Sequence, residues 1–164
     1  MFKTLFVIAV LACANWAHAY APPVGAAQRH AAMQEAAPFA RKYRITLPLA
    51  NAILRSADRA RVPRTIAFRL VKVESGFDSL AVSPTGALGL TQVLPSTGRY
   101  ACPGMDLLQI RSNLDCGFTY LRTMHRRYGD WFVATAAYNL GPATADTSKT
   151  LNDLRYSQMI AGAY

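Results

Sequence analysis

Acidic residues are scarce in this chain. Its 164 residues carry 9 Asp and Glu against 18 Lys and Arg, a formal net charge of +9. Such a balance favours an acidic partner: nucleic acid, anionic lipid or an anionic wall polymer. No charge block occurs, and a hydrophobic content of 52% excludes a fully disordered chain. Long apolar runs are missing except near the N-terminus, which excludes a multi-span membrane protein. Nor is there an internal repeat that would build a solenoid. The histidines are few, at 18, 30 and 125, and none shows ligand spacing with another or with a cysteine, so no metal site is expected. The length suits one domain, or one domain and a tail.

What is present first concerns the compartment. Met1-Phe2-Lys3 is a short positive start, residues 4–14 are an apolar run, and Ala17-His18-Ala19 is the small-x-small pattern a signal peptidase reads. Residues 1–19 therefore read as a signal peptide cleaved after Ala19, too short to be a membrane span. A lipoprotein signal ending at Cys13 is the alternative, and the bulky Leu11 fits it poorly. Cleavage leaves 145 residues with a net charge of +8 and two cysteines, Cys102 and Cys116. An even pair in an exported protein predicts a disulfide, which closes a short loop and adds about 3 kcal/mol by restricting the unfolded chain. The same export argues against nucleic acid as the partner and for the periplasm or cell envelope as the location.

The rest reads as helices, with no sustained strand alternation. Residues 20–27, rich in Pro and Ala, suggest a flexible lead-in, and 28–42 a weakly amphipathic helix; together 20–47 form a lead-in segment before a domain over 48–164. Pro48 and Pro63 each suit the first turn of a helix, giving helices to about Arg61 and from Arg64 to Ser75, the latter ended by Gly76. Ser83-Pro84-Thr85-Gly86 marks a turn within a loop over 77–88. A short helix is expected from about Gly89, with Pro95 near its end or beginning another, then one from a cap at Ser112 or Asn113 through Tyr128 and one capped by Asp130 through Tyr138. A last helix is expected over 149–162. The expected fold class is mostly α.

One carboxylate breaks the pattern. After cleavage the chain has two glutamates, Glu35 and Glu74. Glu35 lies in a polar, Ala-rich stretch and reads as a solvated helix residue. Glu74 projects within the apolar sector of its helix, between Leu70 on one side and Ala67 and Val71 on the other, with Arg69 and Lys72 on the opposite arc. Desolvation and the negative end of the helix dipole both disfavour its anion. A glutamic acid protonated near neutral pH is what a general acid requires; a buried Glu paired with a distant Arg or Lys is the equally simple reading. Gly86-Ala87-Leu88-Gly89-Leu90-Thr91-Gln92 is a Gly-rich turn that lacks the Lys of a phosphate loop. Ala136-Ala137-Tyr138-Asn139-Leu140-Gly141 puts a phenol and an amide beside small residues, leaving room for a sugar.

Glu74-Ser75-Gly76-Phe77, Gly86 to Gln92, and Ala137-Tyr138-Asn139-Leu140-Gly141 resemble, in order and spacing, the three signature segments of the soluble-lytic-transglycosylase catalytic domain of bacterial lytic transglycosylases. Asn113, Gly117, Tyr120-Leu121 and Tyr128-Gly129 resemble the helix leading to the third segment, and the likeness covers roughly residues 50–143. The resemblance implies a lysozyme-like single domain with a substrate groove, acting on peptidoglycan without a cofactor or metal. It implies cleavage of the β-1,4 bond between N-acetylmuramic acid and N-acetylglucosamine to a 1,6-anhydro end, with Glu74 as acid and then base. By position Tyr138 would orient Glu74, Ser75 and Gln92 would contact substrate, and Asn139 would line the groove. Thr91 stands where the family usually has Met and Leu140 where it often has Ala, and both are expected to face the groove. A monomer is expected, serving wall turnover or a secretion, conjugation or pilus apparatus.

Two alternatives stay open. A goose-lysozyme-like hydrolase would need a second acid such as Asp78, whose plainer reading is a turn residue receiving backbone N–H groups. A non-catalytic peptidoglycan-binding module would use the basic surface alone.

Overall fold

The computed structural model describes residues 24–147 and 155–162; the signal peptide and the first half of the helix expected over 149–162 lie outside them. Among the described residues eight helices follow one another: α1 Val24–Tyr43, α2 Leu47–Ala60, α3 Arg64–Ser75, α4 Pro95–Ala101, α5 Ile110–Tyr128, α6 Trp131–Leu140, α7 Pro142–Thr147 and α8 Arg155–Ile160. The fold class is mostly α, as the sequence predicts. Among the described residues the only strand-like pairings are two isolated antiparallel bridges, Val82 with Leu88 and Leu88 with Val93.

Local chemistry sets most boundaries. Thr46 caps α2 by accepting from Leu49 N–H, and Pro48 occupies its first turn, where the missing N–H has no helical partner to lose. Gly76 ends α3 in the left-handed conformation at φ 61°, which glycine adopts without a Cβ penalty. Asp130 caps α6 by accepting from Val133 N–H at 2.9 Å.

α5 is the central helix, packing on α2 and α6, while α1 lies on α2. Phe68, Phe118, Leu70, Leu114, Leu121 and Ile160 are fully buried at the core, each side chain contributing about 1.5–3 kcal/mol on leaving water. Phe39 and Tyr43 of α1 stack on Phe68 of α3, at 4.5 and 5.2 Å between centroids. The segment over 28–42 is thus packed on the body, and its helix begins at Val24, inside the stretch expected to be a flexible lead-in. Val93, Leu107, Cys102 and Cys116 form a smaller cluster, closed by the Cys102–Cys116 disulfide over a separation of 14 residues.

Three expectations need correction. No helix starts at Gly89: residues 89–92 are a turn, with Gly89 at φ 69° and Gln92 at φ 48°, and the helix begins at Pro95. Two left-handed residues within four positions cannot continue a right-handed helix. α5 starts at Ile110 with Gln109 as its cap, so neither Ser112 nor Asn113 caps it; Asn113 is one turn inside and buried. α7, Pro142–Thr147, follows Gly141 where no helix was expected, while of the helix expected over 149–162 the described part covers Arg155–Ile160.

Candidate active site

Glu74 sits at the last turn of α3, half-buried, on the wall of a cleft of about 330 Å³. The cleft is also lined by Ser83, Thr85, Gln92, Tyr120, Tyr138 and Asn139, so among the described residues Glu74 faces hydroxyls and amides and no second carboxylate. Burial pushes its pKa up to about 7, the hydrogen bond from Tyr156 pulling weakly the other way. Near neutral pH a large share of Glu74 therefore carries its proton, as a general acid must.

The wall opposite Glu74 is a loop held from beneath. Asn113 of α5, 1% exposed, accepts from Thr91 N–H at 2.9 Å through Oδ1 and donates through Nδ2 to the carbonyls of Leu88 and Leu107 at 2.8 and 3.0 Å. The Thr91 hydroxyl lies 2.7 Å from Asn113 Oδ1 and 3.0 Å from its carbonyl. One amide thus satisfies polar groups of three residues, two in this loop and one before α5, and buried polar groups need such partners. Two glycines make the approach possible: a Cβ on Gly89 would stand 2.6 Å from Asn113 Nδ2, and one on Gly117 2.4 Å from Thr91 Oγ1. Gln92 bends at the end of this loop and donates through Nε2 to the carbonyls of Ala81 and Gly89, at 3.1 and 2.9 Å.

Two tyrosines complete the frame. Tyr138 of α6 donates to the Thr91 carbonyl at 2.6 Å and packs on Tyr120, 5.3 Å between centroids. Tyr156 of α8 donates to Glu74 Oε1. Burial, and then the nearby Glu74 charge, hold both phenols well above the usual tyrosine range, so both are hydrogen-bond donors near neutral pH.

The expected site residues thus divide. Glu74, Gln92, Tyr138 and Asn139 meet at one cleft. Ser75 does not line it: its hydroxyl lies 2.9 Å from the Leu90 carbonyl and 3.1 Å from that of Val71, tying α3 to the loop. The hydrogen bond to Glu74 comes from Tyr156, while Tyr138 holds the loop. Thr91, 0% exposed, lies under the groove instead of facing it, because Asn113 takes both its N–H and its hydroxyl; Leu140 is not on the cleft wall either. Asp78 accepts from Leu80 N–H at 2.8 Å in an exposed turn. Among the described residues no group of three or more His, Cys, Asp or Glu side chains could hold a metal ion.

Tyr156 had no signal in the sequence. It lies 82 residues from Glu74 in a helix of six residues, and nothing in its neighbourhood distinguishes it from any core aromatic. Asn113 stood out only through the family resemblance, and its role as the loop's anchor is a property of the fold.

Known proteins share this architecture. The chain is 31% identical over 97 residues to the soluble lytic murein transglycosylase of Escherichia coli (strain K12), covering 52% of this chain and 15% of that protein. It is 31% identical over 146 residues to the membrane-bound lytic murein transglycosylase C of Haemophilus ducreyi, covering 76% of this chain and 38% of the relative. The chain therefore spans well under half the length of these relatives. The crystal structure of the 70 kDa soluble lytic transglycosylase of E. coli superposes with a TM-score of 0.55 at 28% identity, over 59% of this chain and 17% of that one. A second structure, of an inactive mutant of lytic transglycosylase Slt from Pseudomonas aeruginosa, superposes at 0.54 with 29% identity, over 58% of this chain and 17% of its own. Residues 51–158 match the Transglycosylase SLT domain family, and the chain belongs to that family, with its lysozyme-like fold.

Proposed function

We propose that the protein is a lytic transglycosylase of peptidoglycan, cleaving the β-1,4 bond between N-acetylmuramic acid and N-acetylglucosamine. The observation that carries this reading is a lone, half-buried Glu74 with a pKa of about 7 at a polar cleft. Glu74 gives its proton to the glycosidic oxygen as the bond to the anomeric carbon breaks. The resulting carboxylate takes the proton of the muramic 6-hydroxyl while that oxygen attacks the anomeric carbon. A 1,6-anhydro ring closes, Glu74 is protonated again and no water is consumed. Tyr156 fixes the Oε1 edge of the carboxyl, leaving Oε2 to carry the proton. Gln92 and Asn139 bind sugar hydroxyls and N-acetyl groups, and Tyr138 keeps the loop in place.

Among the described residues no second acid lines the cleft, which favours this reading over a hydrolase, since hydrolases of sugars typically use a carboxylate pair. Asp78, engaged in its own exposed turn, is not poised to activate a water. The enzyme would be exported, acting in the periplasm or cell envelope either in wall turnover or in opening the wall for a secretion, conjugation or pilus apparatus. Loss of that assembly with unaltered growth in a deletion strain would mark the specialised use.

The test is a digest of purified peptidoglycan analysed by mass spectrometry, beside Glu74→Gln. Anhydromuropeptides, one water lighter than hydrolysis products and missing from the variant's digest, are expected. Reducing-end products would replace the reading with a hydrolase. Binding of peptidoglycan without products from the wild type would leave a binding module.

A further inference from the structure

A second face of α5, away from the cleft, collects positive charge. Thr119, Arg122, Thr123 and Arg126 follow the i, i+3, i+4, i+7 spacing and so form one stripe along the helix. Arg59 and Arg61, from the end of α2, close the other side of a pocket of about 350 Å³. Arg59 is neutralised by Asp115 at 2.6 Å and also donates to Ser56 at 2.9 Å. Arg61, Arg122 and Arg126 have no ion pair among the described residues. The nearest other acids are engaged elsewhere: Asp58 with Arg64 and Asp130 at the α6 cap.

Arg122 is held rigidly. Its guanidinium lies 5.8 Å from the Trp131 ring centre, and Nη1 is 3.2 Å from His125 Nδ1. A guanidinium can only donate, so His125 accepts with a neutral ring, in keeping with the burial and the Arg122 charge that lower its pKa. The Arg122 Nε–H is buried without a hydrogen-bond partner. A buried charged donor left unpaired is costly, and native structures seldom tolerate one. The Thr123 hydroxyl donates to the Thr119 carbonyl, so the guanidinium groups are the pocket's principal donors.

From this pocket we infer an oxyanion site that binds a phosphate group, either of free phosphate or pyrophosphate or of an anionic lipid headgroup. A single carboxylate would leave most of three uncompensated guanidinium charges unmatched. A phosphate monoester carries a charge of roughly −1.5 to −2 with three strong acceptor oxygens, and Arg forks match its geometry. The site is separate from the Glu74 cleft and does not depend on the glycan reading.

Inorganic pyrophosphate titrated into the purified protein, followed by ¹H–¹⁵N spectra of the arginine side chains, tests it. A saturable shift of the Arg122 Nε–H signal is expected, with affinity lowered at least about tenfold in Arg61→Gln/Arg126→Gln, a loss of about 1.4 kcal/mol or more. Arg41→Gln/Lys42→Gln, which removes charge at the end of α1, should leave the affinity unaltered. Should the double variant melt early, Arg126→Gln alone, at an exposed helical position, serves instead. Binding to vesicles of phosphatidic acid, a phosphate monoester, but not phosphatidylcholine, with the same arginine dependence and no response to pyrophosphate, would support the site and make a lipid its source. Non-saturable shifts, equal affinity in the two double variants, or citrate or an acidic peptide binding as tightly as pyrophosphate would overturn it.

Discussion

Glu35 and Glu74 are both helical glutamates, yet one belongs to the surface and the other to the cleft. Glu35 of α1 is 60% exposed and lies 3.2 Å from Arg64, which also pairs with Asp58 at 2.8 Å. Glu35 thus keeps water and one cationic partner. Glu74 loses most of its water and gains no cation; its partner is the neutral hydroxyl of Tyr156. Desolvation therefore wins over hydrogen bonding, and the pKa rises to about 7. Helix membership decides little here. What separates the two is whether other elements arrive to exclude water, as α6, α8 and the loop over 77–94 do around Glu74, while among the described residues Glu35 is left 60% exposed beside α2 and α3.

That contrast is breakable. Glu74→Gln should lower anhydromuropeptide release by about 10³-fold or more, the upper range of general acid–base catalysis, while circular dichroism shows an intact fold. Next in size, Asn113→Ala should cost about 3 kcal/mol in denaturant unfolding, because it strands the Thr91 N–H and the Leu88 and Leu107 carbonyls. Activity should fall with it, since the loop that carries Gln92 loses its anchor.

The pH dependence of stability sharpens the comparison further. A pKa raised on folding means that the folded state binds more protons than the unfolded chain between about 4.5 and about 7. Stability is then fully present below that window and declines as pH rises through it, by on the order of 3 kcal/mol. Melting curves of the wild type should show the decline and those of Glu74→Gln should not. Activity should fall over the same alkaline limb, because the acid form is lost.

Tyr156→Phe removes the bond that pulls the Glu74 pKa down, so the limb should move to higher pH. Its rate at neutral pH should drop by about tenfold through a less ordered carboxyl, as expected for about 1.4 kcal/mol. A drop without movement of the limb would mean that Tyr156 only packs. Smallest of all, Glu35→Gln should change stability by within about 0.5 kcal/mol, an exposed pair being worth little, and leave product formation as it was.

Much of this is legible in the residues alone. The apolar stripe of α3 around Glu74, Gly76 at its end and the caps at Thr46 and Asp130 act over three or four residues, where sequence spacing and spatial spacing coincide. Local preference misleads where it meets distant groups. Thr91 and Gln92 look like the start of a helix, but Gln92 takes the left-handed conformation and Asn113, 22 residues on, holds the Thr91 N–H and hydroxyl in the turn. Ser75 looks like a substrate contact, and the Leu90 carbonyl, 15 residues away, claims its hydroxyl.

By itself, then, the sequence determined a helical chain, an expected disulfide between Cys102 and Cys116 and a single suspect acid, because helix periodicity, capping and composition are short-range properties. Only the tertiary structure decided which hydroxyl meets that acid, which amide anchors the loop facing it, and that arginines of α2 and α5 share one pocket. Those facts depend on segments brought together by burial of the common core, and burial carries no signature in the spacing of the residues it joins.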